Sequence, residues 1–359
     1  MINCITETEL EVCKNADTFL QSSMWGEFKS RFGWNPKAFM IDWAGESIPL
    51  LVISRRLAPG VSFAYIPWLR LPKTFFSGVM TQELDNNFNQ TPTKALAELA
   101  DKLKPFLARN TAFVRFDPSW NLEKGADKEF ISAGFKRAAA AVQAPDTVVI
   151  ELAATCDEIL AAMKPKCRYN ISVAEKKGVK VTAHEQFEQG LEKFYDLLKE
   201  TAARDGIAIH SFEYYKTLFE ICKRRKQDGE NLPLRLYTAE HEGDTLAAII
   251  VLFYGREATY LYGASSNVKR NLMATYMLQW KAIQDAKAAG CQSYDLFGIP
   301  PDDNPNHPMA GLYRFKTGFG GKIIHRPGSW DYPYKRSIYL LFNIAEALRK
   351  KIRDRKKKR

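Results

Sequence analysis

Hydrophobic positions along the chain switch between a helical and a strand period, and punctuating residues mark most of the changes. Leu96, Leu99 and Leu103 share one helical side behind Thr91-Pro92, which reads as an N-cap followed by proline at the first helical position. Pro105 should end or kink that helix. Thr155, followed by Asp157 and Glu158, opens a helix towards Ile159 and Met163. Phe187, Leu191, Phe194 and Leu198 repeat at helical spacing, and Ser211 is expected to cap another run through Tyr215, Leu218 and Cys222. A longer helix is predicted over residues 272–289, with Gly290 at the C′ position. Residues 234–240, 246–253 and 258–261 are rich in strand formers, and Tyr254-Gly255-Arg256-Glu257 joins the last two as a hairpin turn.

Two short strands, 112–116 and 293–297, each follow a helix, and this parallel suggests an internal duplication. In the first half a helix leads to Phe113-Val114-Arg115-Phe116-Asp117-Pro118 and then Gly134-Phe135. In the second, a helix leads to Tyr294-Asp295-Leu296-Phe297-Gly298-Ile299-Pro300 and then Gly318-Phe319. The expected architecture is α+β, each half a mixed sheet with helices on its faces. A boundary is predicted near 138–147, before a fresh strand at 148–152, and a second near Pro327-Gly328. The domains expected are therefore 1–145 plus 328–359, and 146–327. The helix at 339–350 is too apolar to stand free and should pack back on the first domain.

The length of 359 residues and 46% hydrophobic content fit two globular domains. Charge changes that picture at one end. Residues 349–359 hold nine basic residues and one acid, a net +8, which leaves +3 of the formal +11 for residues 1–348. Such a tail suits a polyanion, either nucleic acid or an anionic membrane surface, and reads equally as a solvated terminus. Six scattered cysteines without a CxxC pair and an N-terminus lacking a signal-peptide pattern point to the cytoplasm. The longest apolar stretch, 246–254, is about half of a membrane span.

Familiar catalytic signatures are missing. The five histidines have no ligand spacing, so no metal is expected, and neither a P-loop nor a nucleophile elbow is present. Two clusters carry chemistry instead. Residues 311–322 combine aromatic residues, cations and glycines, with Phe315-Lys316 ahead of Gly318. A lysine on a glycine-flanked turn can set a cation against a developing oxyanion; the bland reading is a core-filling hairpin. The second cluster, Lys164, Lys166, Arg168, Lys176 and Lys177 around Tyr169, can grip phosphates and stack a base, or can be a solvated helix face.

Taken together, the segments 22–34, 167–179, 260–266, 276–283, 294–299 and 311–321 resemble the FemABX family of peptidoglycan-bridge peptidyltransferases, in its compact type without a coiled-coil arm. That resemblance implies two GNAT-like domains with the C-terminal helix returning to the first. It implies transfer of an amino acid from aminoacyl-tRNA to the stem-peptide amine of UDP-MurNAc-pentapeptide or lipid II, with no cofactor and no acyl-enzyme. By the same resemblance Lys316 and Phe315 stand nearest the chemistry, and Lys29, Asp117, Tyr214 and Tyr262 contact substrate. His210 stands where compact members have an arginine, and a neutral histidine lacks that fork and charge. The basic cluster of Lys164, Lys166, Arg168, Lys176 and Lys177 would then meet tRNA, Arg349–Arg359 would touch an anionic membrane, and a monomer is the default.

Two other classes stay open. A GNAT-type N-acyltransferase would grip a pyrophosphate through a glycine-rich loop, but Met273 and Thr275 occupy the glycine positions of Arg270–Thr275. A non-catalytic RNA- or membrane-binding module explains the tail but not Phe315-Lys316.

Overall fold

The computed structural model describes residues 1–75, 91–121, 125–184, 186–230 and 233–357. The chain divides into two units, Met1–Pro145 with Arg326–Arg359, and Asp146–His325. The first contains β1 (Ile2–Thr8), α1 (Ser23–Ser30), β2 (Asn35–Trp43), β3 (Glu46–Ala58), β4 (Val61–Leu69), α2 (Pro92–Leu103), β5 (Thr111–Pro118), α3 (Ala126–Ser132) and β6 (Lys136–Arg137). The second contains β7 (Asp146–Glu151), α4 (Cys156–Ala162), α5 (Pro165–Lys176), β8 (Lys180–His184), α6 (Glu188–Asp205), α7 (Phe212–Gln227) and β9 (Leu234–His241). It continues with β10 (Asp244–Tyr254), β11 (Glu257–Ser265), α8 (Ala274–Ala288), β12 (Ser293–Gly298), α9 (Ala310–Gly318) and β13 (Lys322–His325). The chain then returns to the first unit as β14 (Trp330–Pro333) and α10 (Arg336–Lys357).

The punctuation does what its chemistry requires. Thr91 accepts a hydrogen bond from the Lys94 amide, Pro92 opens α2, and the α-helix stops at Leu103 before Pro105. Thr155 and Glu158 form a reciprocal capping box on α4. Ser211 stands at the N-cap of α7, but its side chain makes no capping hydrogen bond. Gly290 follows α8 with φ 81°, the left-handed conformation that glycine adopts without strain.

Each unit holds a seven-stranded sheet among the described residues. The order is β1-β2-β3-β4-β5-β14-β6 in one and β8-β9-β10-β11-β12-β7-β13 in the other. The two orders correspond position by position. The single parallel pair, β4 with β5 and β11 with β12, sits at the same place in both. A parallel pair needs a crossover, which α2 and α8 supply, and each buries an apolar face on its own sheet. Leu96, Leu99 and Leu103 of α2 pack with Phe39, Trp43 and Phe116, while Leu278, Ala282 and Ile283 of α8 pack with Ile249, Val251 and Tyr294.

The correspondence includes an exchange. β7 follows β6 along the chain but pairs with β12 and β13, and β14 follows β13 but pairs with β5 and β6. Each repeat therefore hands its last strand to the sheet of the other. A buried carboxylate pins each exchanged strand. Asp331 on β14, with no exposed side chain, takes a bidentate pair from Arg115 of β5 at 2.7 and 2.9 Å, and Tyr339 of α10 donates to it at 2.9 Å. In the second sheet Thr147 of β7 donates to the buried Asp295 of β12.

Helix α10 packs back on the first unit, as its apolar content predicts. Tyr339 and Phe342 set their rings 5.1 and 5.2 Å from Phe113 on β5.

Candidate active site

Lys316 lies in the last turn of α9, not on a glycine-flanked turn as the sequence suggests. Gly311 is accommodated in the helix with no neighbour near the position of a Cβ, and the left-handed glycines, Gly320 and Gly321, come after the helix ends. Tertiary packing supports this short helix. Phe315 meets Tyr276 of α8 at 5.0 Å and Phe319 at 5.2 Å, both edge to face. The Lys164 amide donates to the Gly318 carbonyl at 2.9 Å, and Lys164 Nζ donates to Thr317 Oγ1 at 3.3 Å, tying the start of α5 to the end of α9.

The Lys316 side chain is 6% exposed. Its Nζ donates to the Gly298 carbonyl at 2.9 Å and to that of Phe297 at 3.4 Å, and lies 5.0 Å from the Tyr260 ring centre. Burial lowers its pKa to about 7, against a smaller upward pull from Asp295. The two carbonyls come from an irregular strand end. The pairing of β12 with β7 shifts register between Asp295 and Gly298, and Phe297 has φ 59°. That conformation is costly for an aromatic residue, and the Phe297 amide donating to Asp295 Oδ1 at 2.7 Å holds it in place. Asp295 thus does two things: it fixes the backbone that receives Lys316, and it supplies the negative charge that partly retains the ammonium.

A β-bulge at Leu261 shapes the neighbouring strand. Ile250 pairs with Tyr262 and Val251 with Tyr260, so Leu261 is the extra residue. The Tyr260 hydroxyl lies 1.8 Å from where a Cβ of residue 263 would stand, so only glycine fits beside that ring. Tyr262 closes against Tyr215 at 5.1 Å and Tyr214 at 6.5 Å, both edge to face, and the Tyr214 and Tyr262 hydroxyls pair. Burial raises the pKa of both phenols, so both act as neutral hydrogen-bonding groups. His210, on the exposed loop before α7, stacks on Tyr214 at 3.8 Å and 13°.

The basic cluster separates into two roles. Arg168 turns back on its own chain and donates to the carbonyls of Ala161, at 3.0 Å, and Met163, satisfying the end of α4. Lys166 and Lys176 are exposed beside Tyr169, which is 68% exposed, and helical spacing puts the three on one face of α5, with Lys177 just past its end.

Two of the predicted residues belong to the first unit. Lys29 on α1 sits over three rings, with Nζ 5.4 Å from Trp25, 5.7 Å from Trp34 and 5.9 Å from Phe28. Burial, and secondarily the charge of Arg55, lower its pKa to about 8. Trp34 continues to Tyr65 at 6.2 Å, and Tyr65 donates to Asp117 at 2.5 Å. A continuous line of contacts therefore runs from Lys29 to Asp117. Asp117 is 3% exposed and also accepts from Ser329 Oγ and from the Gln143 amide at 3.1 Å. Burial outweighs those bonds and holds its carboxyl above the usual carboxylate range. It braces the chain at 143 and at 329, where the two connections pass.

The other residues of the second unit, His210, Tyr214 and Tyr262, and Lys316 with Phe315, form two groups: the stacked histidine and tyrosines, and the lysine with its carbonyls. Sequence reasoning missed Asp295, Phe297, Tyr260 and Gly263. The available signal was an aspartate two residues before Phe297, the spacing of an Asx turn, and a glycine three residues after Tyr260. No group of His, Cys, Asp or Glu able to hold a metal occurs among the described residues.

The FemAB family profile matches residues 8–227 and 233–347. The chain belongs to the FemAB family. Its relatives include a lipid II:glycine glycyltransferase of Staphylococcus saprophyticus, 23% identical with 92% of each chain covered. Another, from Staphylococcus aureus strain COL, is 24% identical, with 90% of this chain and 89% of the relative covered. Among solved structures, FemX superposes with a TM-score of 0.76 at 19% identity, over 94% of this chain and 99% of FemX. A tandem GNAT protein from the clavulanic acid pathway reaches 0.50 at 12% identity, over 90% and 91%. The fold is thus α+β with two GNAT-like domains, the duplication visible in the matched strand orders. At the start of α8, this FemAB member has a left-handed backbone at Met273 (φ 55°).

Proposed function

We propose that this protein transfers an aminoacyl group from aminoacyl-tRNA to the stem-peptide amine of a peptidoglycan precursor, building a cell-wall cross-bridge. The reading is supported by FemAB membership and by relatives named lipid II:glycine glycyltransferases that match about nine-tenths of both chains. The observation that carries it is Lys316, a lysine buried against two backbone carbonyls with its pKa brought to about 7.

The stem amine attacks the ester carbonyl carbon, a C–N bond forms, and the C–O bond to the ribose breaks. The amine loses a proton and the ribose oxygen gains one. No acyl-enzyme is needed, because an aminoacyl ester is already activated and the protein supplies alignment and electrostatics. Lys316 faces the oxyanion and the leaving oxygen; a pKa near neutrality suits it to lend a proton there. Phe315 holds α9 in position through Tyr276 and Phe319. Tyr214, Tyr262 and His210 contact the acceptor, Lys29 meets its phosphates, and Lys166, Lys176 and Lys177 meet the tRNA. Asp117, in the first unit, contacts substrate. The acceptor is the UDP-linked or lipid-linked precursor, reached from the cytoplasmic side, by a monomer.

The test offers radiolabelled amino acids on a pool of charged tRNAs to UDP-MurNAc-pentapeptide and to lipid II in separate reactions. Label should enter a muropeptide, and Lys316→Met should abolish transfer in a folded protein. Transfer by that variant within a few-fold of wild type would remove Lys316 from the chemistry. A folded protein that labels neither acceptor points instead to an aminoacyltransferase working on another amine.

A further inference from the structure

Helix α10 uses only part of its apolar surface to hold itself on the first unit. Tyr339 and Phe342 turn inward. Leu340, Leu341, Ile344 and Leu348 turn outward and are 61%, 66%, 50% and 55% exposed. At 100° per residue these four fall within an arc of about 100°, a continuous stripe along the solvent side of the helix. Single exposed apolar residues need no explanation, but four large aliphatic side chains in one stripe mark a surface that meets something apolar.

The charge beside the stripe narrows the choice. Arg336 precedes it and Arg349 follows it, both exposed, and the sequence from 349 to 359 carries its net +8; Lys358 and Arg359 lie outside the described residues. Nucleic acid would satisfy the cations and leave the leucines in water. A second copy pairing stripe to stripe would bring two +8 segments together, at a cost in repulsion. No described helix is long and apolar enough to cross a membrane. An apolar stripe bordered by cations, on a helix that does not span, is the pattern of a helix lying in the plane of an anionic bilayer.

We propose that α10 docks this protein on an anionic membrane, with Leu340, Leu341, Ile344 and Leu348 seated at the acyl boundary and the basic C-terminal segment on the lipid headgroups. The docking goes beyond the transfer chemistry and does not rest on it. Its readout is binding, so either proposal can fail without the other.

The test is cosedimentation of the full-length protein with phosphatidylcholine vesicles and with vesicles containing one-third phosphatidylglycerol. The wild type should bind the anionic vesicles at least tenfold more tightly, and part of that binding should survive 0.5 M salt, where headgroup attraction is screened. L340S/L341S/I344S/L348S should lose the salt-resistant part, with its Tm and its turnover of a water-soluble acceptor unchanged, because the stripe touches neither core nor site. Deleting residues 349–359 should lose the salt-sensitive part. Equal binding by the four-serine variant at high salt overturns the proposal. So does vesicle-independent tRNA binding that accounts for the whole salt-sensitive signal, or a dimer that the four substitutions dissociate. Ile344→Trp supplies an independent check: the difference between its emission and that of the wild type, which carries the seven native tryptophans, should shift to the blue on adding anionic vesicles, and no shift counts against insertion.

Discussion

Lys316 Nζ and the Gly298 carbonyl oxygen lie 2.9 Å apart, and everything around that contact keeps it available: a strained Phe297, an Asx turn from Asp295, and a helix held by Phe315. The lysine is held by neutral acceptors rather than by a direct ion pair in this contact. Its charge is therefore set largely by burial, and small changes nearby should move its titration.

Asp295→Asn removes the charge that favours the Lys316 ammonium while keeping an oxygen for the Phe297 amide. The Lys316 pKa should fall below its present value of about 7. If the ammonium is the working form, the descending limb of kcat against pH moves to lower pH, and activity at pH 8 falls more than activity at pH 6. A pH profile that matches wild type would show that Asp295 acts on the backbone alone.

Lys316→Met, expected to lose transfer, should nonetheless stabilise the fold. The folded pKa, about 7, lies below the ordinary 10.5, so the unfolded chain binds more protons between those values and stability rises with pH there. Below pH 7 the burial penalty is present in full. The variant should melt about 2–4 °C above wild type at pH 6, with the gap closing as pH approaches 10. Lost hydrogen bonds at Phe297 and Gly298 offset part of the gain. Calorimetry at pH 6 and pH 9 checks it; a variant less stable at pH 6 contradicts the sign.

Gly263→Ala forces the Tyr260 ring to move, since its hydroxyl occupies the space of the new methyl. Overpacking of this kind costs about 1–3 kcal/mol. Because Tyr260 lies against Lys316, transfer should fall at least tenfold while the protein stays folded at 25 °C. Urea unfolding and initial rates on the same preparation separate the two effects.

Asp331→Ala leaves Arg115 and the Tyr339 hydroxyl without their shared acceptor. Breaking a buried pair from one side costs about 3–5 kcal/mol. The midpoint of urea unfolding should fall accordingly, and Asp331→Asn, which keeps an acceptor oxygen, should lose less. A change under 1 kcal/mol for the alanine variant would mean that β14 is held by its strand pairing alone.

The two faces of α5 should separate in their response. Lys166→Ala with Lys176→Ala should raise the KM for aminoacyl-tRNA several-fold and flatten its dependence on salt, with Tm unchanged. Arg168→Ala should lower Tm instead, because it uncovers the last carbonyls of α4. Equal KM values in the double variant and wild type would place the tRNA elsewhere.

Much of this was legible in the residues. Thr91-Pro92 and the Thr155–Glu158 pair specify helix starts by local hydrogen bonding, so no tertiary knowledge is needed to read them. The hairpin at Gly255 and the C′ Gly290 are equally local. The location of Lys316 was not, because Gly311 and Gly318 signal a turn, whereas the helix is held by tertiary contacts: Phe315 on Tyr276 and Phe319, and Lys164 on Thr317 and Gly318. The backbone partners of Asp295 and Arg168 were hidden for a related reason: backbone groups leave no trace in residue identity. The exchange of β7 and β14 was also hidden. A two-residue β6 and the four residues Trp330–Pro333 are too short to show a period, and which sheet they join is decided by distant partners such as Arg115 and Asp331.

That exchange also governs the order in which the molecule can be finished during synthesis. When residue 145 has emerged from the ribosome, β5 still lacks β14, and its free edge must wait for the whole of the second unit to be made. At typical elongation rates the wait is on the order of ten seconds or more. The second sheet closes with His325 and the first only with Pro333, so both reach completion almost together at the far end of the chain. A message cut short anywhere before that point yields a chain with an unpaired strand edge, the feature that cellular quality control and aggregation both act upon.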